Sequence, residues 1–377
     1  MLPPRLIRRL ALVPLVVVIA ACLVALTPAV ALISAASGLV RRLTGHGHRA
    51  RLLRVVFLAL TWSAGETAAL TVLLGLWIVS GFGGRLDTEP YRSRHYAVME
   101  RFLNLIYRVA RRACGLEVEV TAPPGELLAD ERPLIVLSRH AGPGDSLLLV
   151  HHLLSVCQRR PRVVMKATLQ LDPSLDIVAN RVPNAFLHRR SDGPRLGYRQ
   201  QAEQIRRLAA GLGDRDALLL FPEGGNWTPL RWRRGIERLR RRGQADLAQR
   251  AAAMPNLLPP RAGGAFAAIG ACPAADVIFV AHTGLDKLVS VRDVWHSLLT
   301  DVTVRARWWR VPADAVPRAA DYETQTEWLY DWWERLDAWI TEESLGATAS
   351  GATANGATAN GAAAGQRSAE LFGLDGH

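Results

Sequence analysis

The sequence predicts a layered α/β domain with a mainly parallel sheet flanked by helices, preceded by N-terminal membrane helices. Three observations predict it. Short apolar, β-favouring runs alternate with helical patterns between Leu116 and Val311, the signature of strands whose crossovers are helices. Two long apolar runs occupy residues 11–40 and 55–84, and a Trp-rich pattern at helical spacing follows the last strand at 321–345. These divide the 377 residues into an N-terminal membrane-embedded part (1–90), an α/β domain (91–345) and a low-complexity tail (346–377).

Residues 11–40 carry no charge, with Arg5, Arg8 and Arg9 before them and Arg41 and Arg42 after. That exceeds the roughly 20 residues needed to span a bilayer. Ala29-Val30-Ala31 resembles a signal cleavage site, but the apolar run continues past it and a second run follows. The second run is interrupted only by Glu66, whose carboxylate needs a partner, a shallow position or protonation at membrane depth. If both runs cross, the five arginines between Arg41 and Arg54 lie opposite the three at the N-terminus, and one side offends the positive-inside rule. A run that dips in and returns to the cytoplasmic face, made easier by Pro14 and Pro28, removes the conflict. The expected location is the cytoplasmic membrane, with the following domain on its cytoplasmic face.

The net charge of +12 accompanies 49% hydrophobic residues. Beside apolar segments such basicity points to an anionic membrane surface rather than nucleic acid, for which no aromatic and basic surface motif is present. Cys22, Cys114, Cys157 and Cys272 are scattered, so neither a zinc site nor a disulfide framework is expected.

Tyr91 to Arg112 reads as a basic amphipathic helix, and Leu116 to Thr121 as a first strand. Leu134 to Leu137 forms the next strand and runs into Ser138-Arg139-His140 and the turn of Gly142, Pro143 and Gly144. Asp145 then opens a helix to about Val156 from an N-cap position. Strands are expected at Arg162–Lys166, Asn184–His188 and Ala217–Phe221, with a helix at about Arg195 to Ala210 and an irregular stretch before Pro183. An arginine-rich helix covers 231–253 and is ended by Pro255, Pro259 and Pro260. A short apolar helix opens at Arg261-Ala262-Gly263-Gly264, and strands follow at Val277–Ala281 and Asp301–Val311. The Trp-rich helix is expected to pack its apolar face on the sheet. The five-residue repeat over Gly346–Gly365 is too poor in large apolar groups to fold.

The strand–turn–helix at 134–146 can fold the Asp145 carboxylate back onto the His140 imidazole. An imidazole so held can take a proton from a hydroxyl, because the carboxylate stabilises the imidazolium as it forms. A second constellation, Phe221-Pro222-Glu223-Gly224-Gly225-Asn226, follows another hydrophobic strand, where an α/β fold places ligand groups and glycine admits close backbone approach. His151, His152 and His282 have no carboxylate or cysteine at metal-ligand spacing and read as structural.

Together these blocks resemble the glycerolipid acyltransferase family, of the 1-acylglycerol-3-phosphate acyltransferase type. The resemblance covers about Leu134 to Ile269. SRHAGPGD supplies the His-x4-Asp block, VVMKATL and PNAFLHRR stand at the acceptor-binding block, FPEGG matches the Phe-Pro-Glu-Gly block, and LPPRAGG looks like the fourth. The resemblance implies acyl transfer from acyl-CoA or acyl carrier protein, as co-substrate, to the hydroxyl of a lysolipid at an anionic membrane, with no metal and no covalent intermediate. It implies that His140 is the general base and Asp145 its orienter, and that Glu223, Gly224 and Gly225 shape the acceptor site. The family's Phe-Pro-Glu-Gly-Thr-Arg-Ser becomes FPEGGNWTP here, so Asn226 stands where an acceptor-binding arginine is expected. Lys166, Arg189, Arg231 and Arg233 are the candidate substitutes, since phosphate accepts any well-placed cation; a glycolipid or another lysolipid acceptor stays open, as does a catalytically silent, lipid-binding acyltransferase-like protein. Backbone donors at the helix start after Gly144 are candidates for the oxyanion.

Overall fold

The structure is a computed structural model and describes residues 2–43, 51–121, 131–187, 197–285 and 302–371. Its centre is a seven-stranded sheet of β1 (Leu116–Val120), β2 (Leu134–Ser138), β3 (Arg160–Lys166), β4 (Ala185–Leu187), β5 (Asp216–Leu220), β6 (Asp276–Thr283) and β7 (Val302–Val311). The spatial order is β1-β7-β6-β2-β5-β3-β4. Only the β6–β7 pairing is antiparallel, so the sheet is mainly parallel, as its strand–helix alternation predicts.

The middle strands need no polar alternation because both faces are covered. On β2, Ile135 and Leu137 enter one core with Leu218, Leu220, Val277 and Phe279, while Leu134 and Val136 enter another with Leu219, Ile278 and Val280. All four β2 side chains are fully buried, each contributing about 1.5–3 kcal/mol of apolar transfer before entropy is counted. Edge strand β1, by contrast, reads Leu-Glu-Val-Glu-Val and alternates in exposure.

Ten helices accompany the strands among the described residues: α1 (Arg5–Leu43), α2 (Arg51–Val79), α3 (Glu89–Cys114), α4 (Pro143–His151), α5 (Pro173–Ala179), α6 (Tyr198–Ala210), α7 (Pro229–Arg241), α8 (Ala245–Ala252), α9 (Ala262–Ala271) and α10 (Tyr322–Leu371). The Trp-rich face of α10 packs on the sheet. Trp333 and Leu336 are fully buried, and Trp332 stacks on Phe279 of β6 at 4.5 Å. The backbone of α10 is helical from Tyr322 to Leu371.

Three local readings are corrected. The stretch expected to be irregular contains α5, capped by Asp172, whose side chain accepts the Leu175 N–H at 2.8 Å, with Pro173 in the first turn. The single helix expected at 231–253 is two, α7 and α8, separated at Gly243, whose φ of +73° a continuing helix does not allow. Asp145 is not the cap of α4. Gly142 holds that place, and Asp145 lies at the third helical position, from which its carboxylate reaches back to the Gly142 N–H.

The two apolar runs form α1 and α2, with Arg5–Ile33 and Arg54–Val79 long and apolar enough to cross a membrane. Each is one continuous helix among the described residues, and a helix satisfies its own backbone donors. The helices pack on each other and on α5. Arg8 and Arg9 both bind Asp176 of α5, Arg9 Nε at 2.7 Å. Glu66 accepts the Ser174 N–H at 2.9 Å and the Ser174 hydroxyl at 2.7 Å, which supplies the partner its carboxylate needs. Arg181 donates to the Leu73 carbonyl at 2.8 Å. The hairpin is therefore held to the α/β domain by polar bonds as well as by contact.

Candidate active site

Strands β2 and β5 are hydrogen-bonded neighbours in register, Leu137 opposite Leu220. Their carboxyl ends therefore deliver His140 and Phe221-Pro222-Glu223-Gly224 side by side. Residues Trp227 and Glu223 tie the two corners together. The Trp227 N–H donates to the His140 carbonyl at 2.7 Å, and the His140 N–H points to Glu223 Oε1 at 3.4 Å. The Phe221 ring lies over the imidazole with centroids 4.5 Å apart, limiting its rotation.

The His140 imidazole and the Asp145 carboxylate meet as expected. Nδ1 lies 2.9 Å from Oδ2 and 3.1 Å from Oδ1. Asp145 is fully buried and accepts further bonds from the Ala141 N–H (2.7 Å), the Gly142 N–H (3.1 Å), and the Ser146 N–H (2.5 Å) and hydroxyl (3.1 Å). Burial alone would raise its pKa. The hydrogen bond and charge of His140, the nearby His282 and the Gly142 N–H outweigh burial and hold the carboxyl below its ordinary range. The carboxylate thus makes Nδ1 the protonated nitrogen and leaves Nε2 with its lone pair. It also occupies the Ser146 N–H, one of the donors expected to face an oxyanion.

Glu223 is buried in a different way. One oxygen, Oε2, has no hydrogen-bond partner among the described residues, and burial pushes the Glu223 pKa well above the ordinary value despite Arg139 and the backbone N–H groups of His140 and Leu258. Arg139 is itself buried behind the corner, with bonds to the carbonyls of His282 (2.6 Å) and Asn256 (3.2 Å). Glu223 does not line the cavity described next; it supports the backbone of His140 from behind.

A cavity of about 690 Å³ opens on this corner. His140, Phe221, Gly224 and Gly225 are part of its wall. Apolar side chains including Leu175, Val178, Met99, Phe102 and, from α2, Trp62 and Leu73 continue the wall. Such a space suits a long hydrocarbon chain leading to a polar reacting centre. Lys166 lines it from the end of β3. Arg231 does not; it binds the carbonyl and side-chain oxygens of Asn226. Arg233 is exposed on α7, and Arg189 lies outside the described residues.

Sequence reasoning missed several participants. His282 comes from β6 to within 3.8 Å of Asp145, and Arg261 and the α2 side chains reach the cavity from distant segments. Only the opening of a helix at Arg261 was a local signal. His151 and His152 are structural. His151 stacks on Tyr107 and binds Asn104, while His152 stacks on Trp308, and burial followed by the neighbouring His151 pushes its pKa down to about 4. Among the described residues no three His, Cys, Asp or Glu side chains gather as a metal site.

Residues 119–281 match the Acyltransferase family model. The span holds His140, Asp145, Lys166, Glu223, Gly224, Gly225 and Arg261, so the chain's resemblance to the acyltransferase family rests on the segment that builds the corner. No curated protein sequence matches the chain. Among solved structures it is similar to the 1-acyl-sn-glycerophosphate acyltransferase PlsC from Thermotoga maritima, at 15% identity and a TM-score of 0.43, covering 74% of this chain and 97% of that one.

Proposed function

We propose that this chain is a membrane-associated O-acyltransferase. It transfers a fatty acyl group from acyl-CoA or acyl carrier protein to the hydroxyl of a lysolipid such as 1-acylglycerol-3-phosphate. The observation that carries the reading is the His140–Asp145 pair at 2.9 Å, with His140 on the wall of a largely apolar cavity. His140 Nε2 takes the proton of the acceptor hydroxyl as its oxygen attacks the thioester carbonyl carbon. The resulting tetrahedral oxyanion collapses, the C–S bond breaks, and the departing thiolate takes the proton from the His140 imidazolium. Asp145 keeps the imidazole in the required tautomer and stabilises the cation between the two transfers. A thioester is already activated, so positioning and proton transfer suffice, with no metal and no acyl-enzyme intermediate.

Lys166, Gly224 and Gly225 shape the acceptor end in this reading, while Glu223 and Phe221 position His140. The apolar helices α1 and α2, both long enough to span a bilayer, support a cavity that works beside a membrane, and the net positive charge is consistent with an anionic surface. Asn226 in place of an arginine, with Arg231 folded onto it, favours testing glycolipids and other lysolipids as acceptors alongside the phosphate ester. The test offers purified full chain a panel of lysolipids with labelled acyl-CoA or acyl carrier protein, and identifies products by mass spectrometry. Acylated product formed by the wild type and absent with His140→Ala supports the reading; equal product from both rejects it.

A further inference from the structure

Four ionisable side chains line the cavity among the described residues: His140, Lys166, Asp172 and Arg261. Arg261 is placed by two features of its own segment. Its backbone N–H donates to the Pro222 carbonyl at 3.0 Å, which ties the start of α9 to the corner after β5. Its guanidinium lies across Gly224, where an added Cβ would come within 3.0 Å of both Cζ and Nη1. Gly224 has a φ of +71°, so glycine here provides both the backbone turn and the space the guanidinium fills.

The consequence is a planar, permanently charged donor group on the wall that carries His140. Phe221, which lies over the His140 ring, is three residues before Gly224, and all of them line the same cavity. Arg231 is committed to Asn226 and lies off the wall. A guanidinium recognises phosphate through paired N–H donors in a geometry that an ammonium cannot reproduce.

We propose that Arg261 is an anion-binding residue of this site and holds a phosphate group carried by one of the two substrates. That phosphate belongs either to the acceptor head group or to the coenzyme A portion of the thioester donor. The inference takes the identity of these substrates from the acyl-transfer reading, but its test needs no turnover.

Full chain in detergent is titrated calorimetrically with three probes: lysophosphatidic acid, a monoacylglycerol of the same chain length, and coenzyme A. Arg261→Ala is expected to weaken one of the two phosphate-bearing probes by roughly 10- to 100-fold, the scale of a lost charge-assisted contact, and to leave monoacylglycerol unchanged. Arg261→Lys, which keeps the charge and the aliphatic stem, is expected to fall between and serves if the alanine variant does not fold. The probe that weakens identifies the source of the phosphate. Unchanged binding of both phosphate probes, or equal weakening of all three, overturns the proposal. A wild type that binds all three probes yet transfers no acyl group rejects the catalytic reading and leaves the anion site standing.

Discussion

The corners after β2 and β5 each bury a carboxyl group, and their environments drive the two groups in opposite directions. Asp145 sits among three backbone N–H groups, a hydroxyl and an imidazole, and stays below its ordinary pKa although it is fully buried. Glu223, a few ångströms behind, has a long contact to the His140 N–H and one oxygen without a partner, and is pushed well above. Burial is common to both. The density of donors decides the direction in which each is pushed. Only the first lies against the imidazole, and the second accepts from the backbone N–H of His140.

The sharpest way to break this contrast is to remove the group that the charged carboxyl serves. His140→Ala is expected to lower acyl transfer by about 10²–10⁴-fold, the usual range for general base catalysis, with lysolipid binding retained in a direct titration. Next in size, Asp145→Asn should reduce kcat by about 10²-fold or more, because an amide can donate to Nδ1 and favour the wrong tautomer. It should also destabilise the fold near neutral pH. The sign follows from the lowered pKa: the carboxylate's contribution is complete above the ordinary aspartate value of about 4 and is lost as pH falls through the lower folded value. The stability gap between wild type and Asp145→Asn, measured by urea unfolding, should therefore close only in acid.

Glu223→Ala should cost about 1–3 kcal/mol, since it strips the acceptor from the buried His140 N–H, and should lower turnover by displacing the ring. The smallest effect is expected of Glu223→Gln, which keeps an acceptor and removes a charge the site disfavours. Here the sign reverses. A raised carboxyl contributes stability below its ordinary pKa and loses it as pH rises through the folded value, so the glutamine variant should gain on the wild type as pH rises above the ordinary glutamate range. A loss that grows with pH would show that Glu223 is ionised and paired, and would erase the contrast.

What could be read in the sequence was chemistry held within a few residues. His140 and Asp145 are joined by a four-residue turn, and β2 and β5 announce themselves as continuous apolar runs before glycine. The Trp spacing at 328–340 gave the sheet-facing stripe of α10 for the same reason. Long-range partners left no such mark. Nothing local pairs Glu66 with Ser174, brings His282 beside Asp145, or lays Arg261 over Gly224, because each contact depends on how distant elements stack. The α5 helix was readable from Asp172-Pro173, but its single short turn of apolar residues was too brief to show a period. The antiparallel placement of β7 is likewise a property of the assembled sheet.

The union of Arg8 and Arg9 with Asp176, and of Glu66 with Ser174, bears on how this protein can be handled. A shortened chain beginning near residue 85, the obvious route to a soluble sample, would remove Trp62 and Leu73 from the cavity wall, uncover the face of α5 and strip Asp176 of both arginine partners. Such a preparation should aggregate or melt early even with every catalytic side chain present. The apolar hairpin is thus part of the domain's own masonry, and it must travel with the rest through extraction and assay.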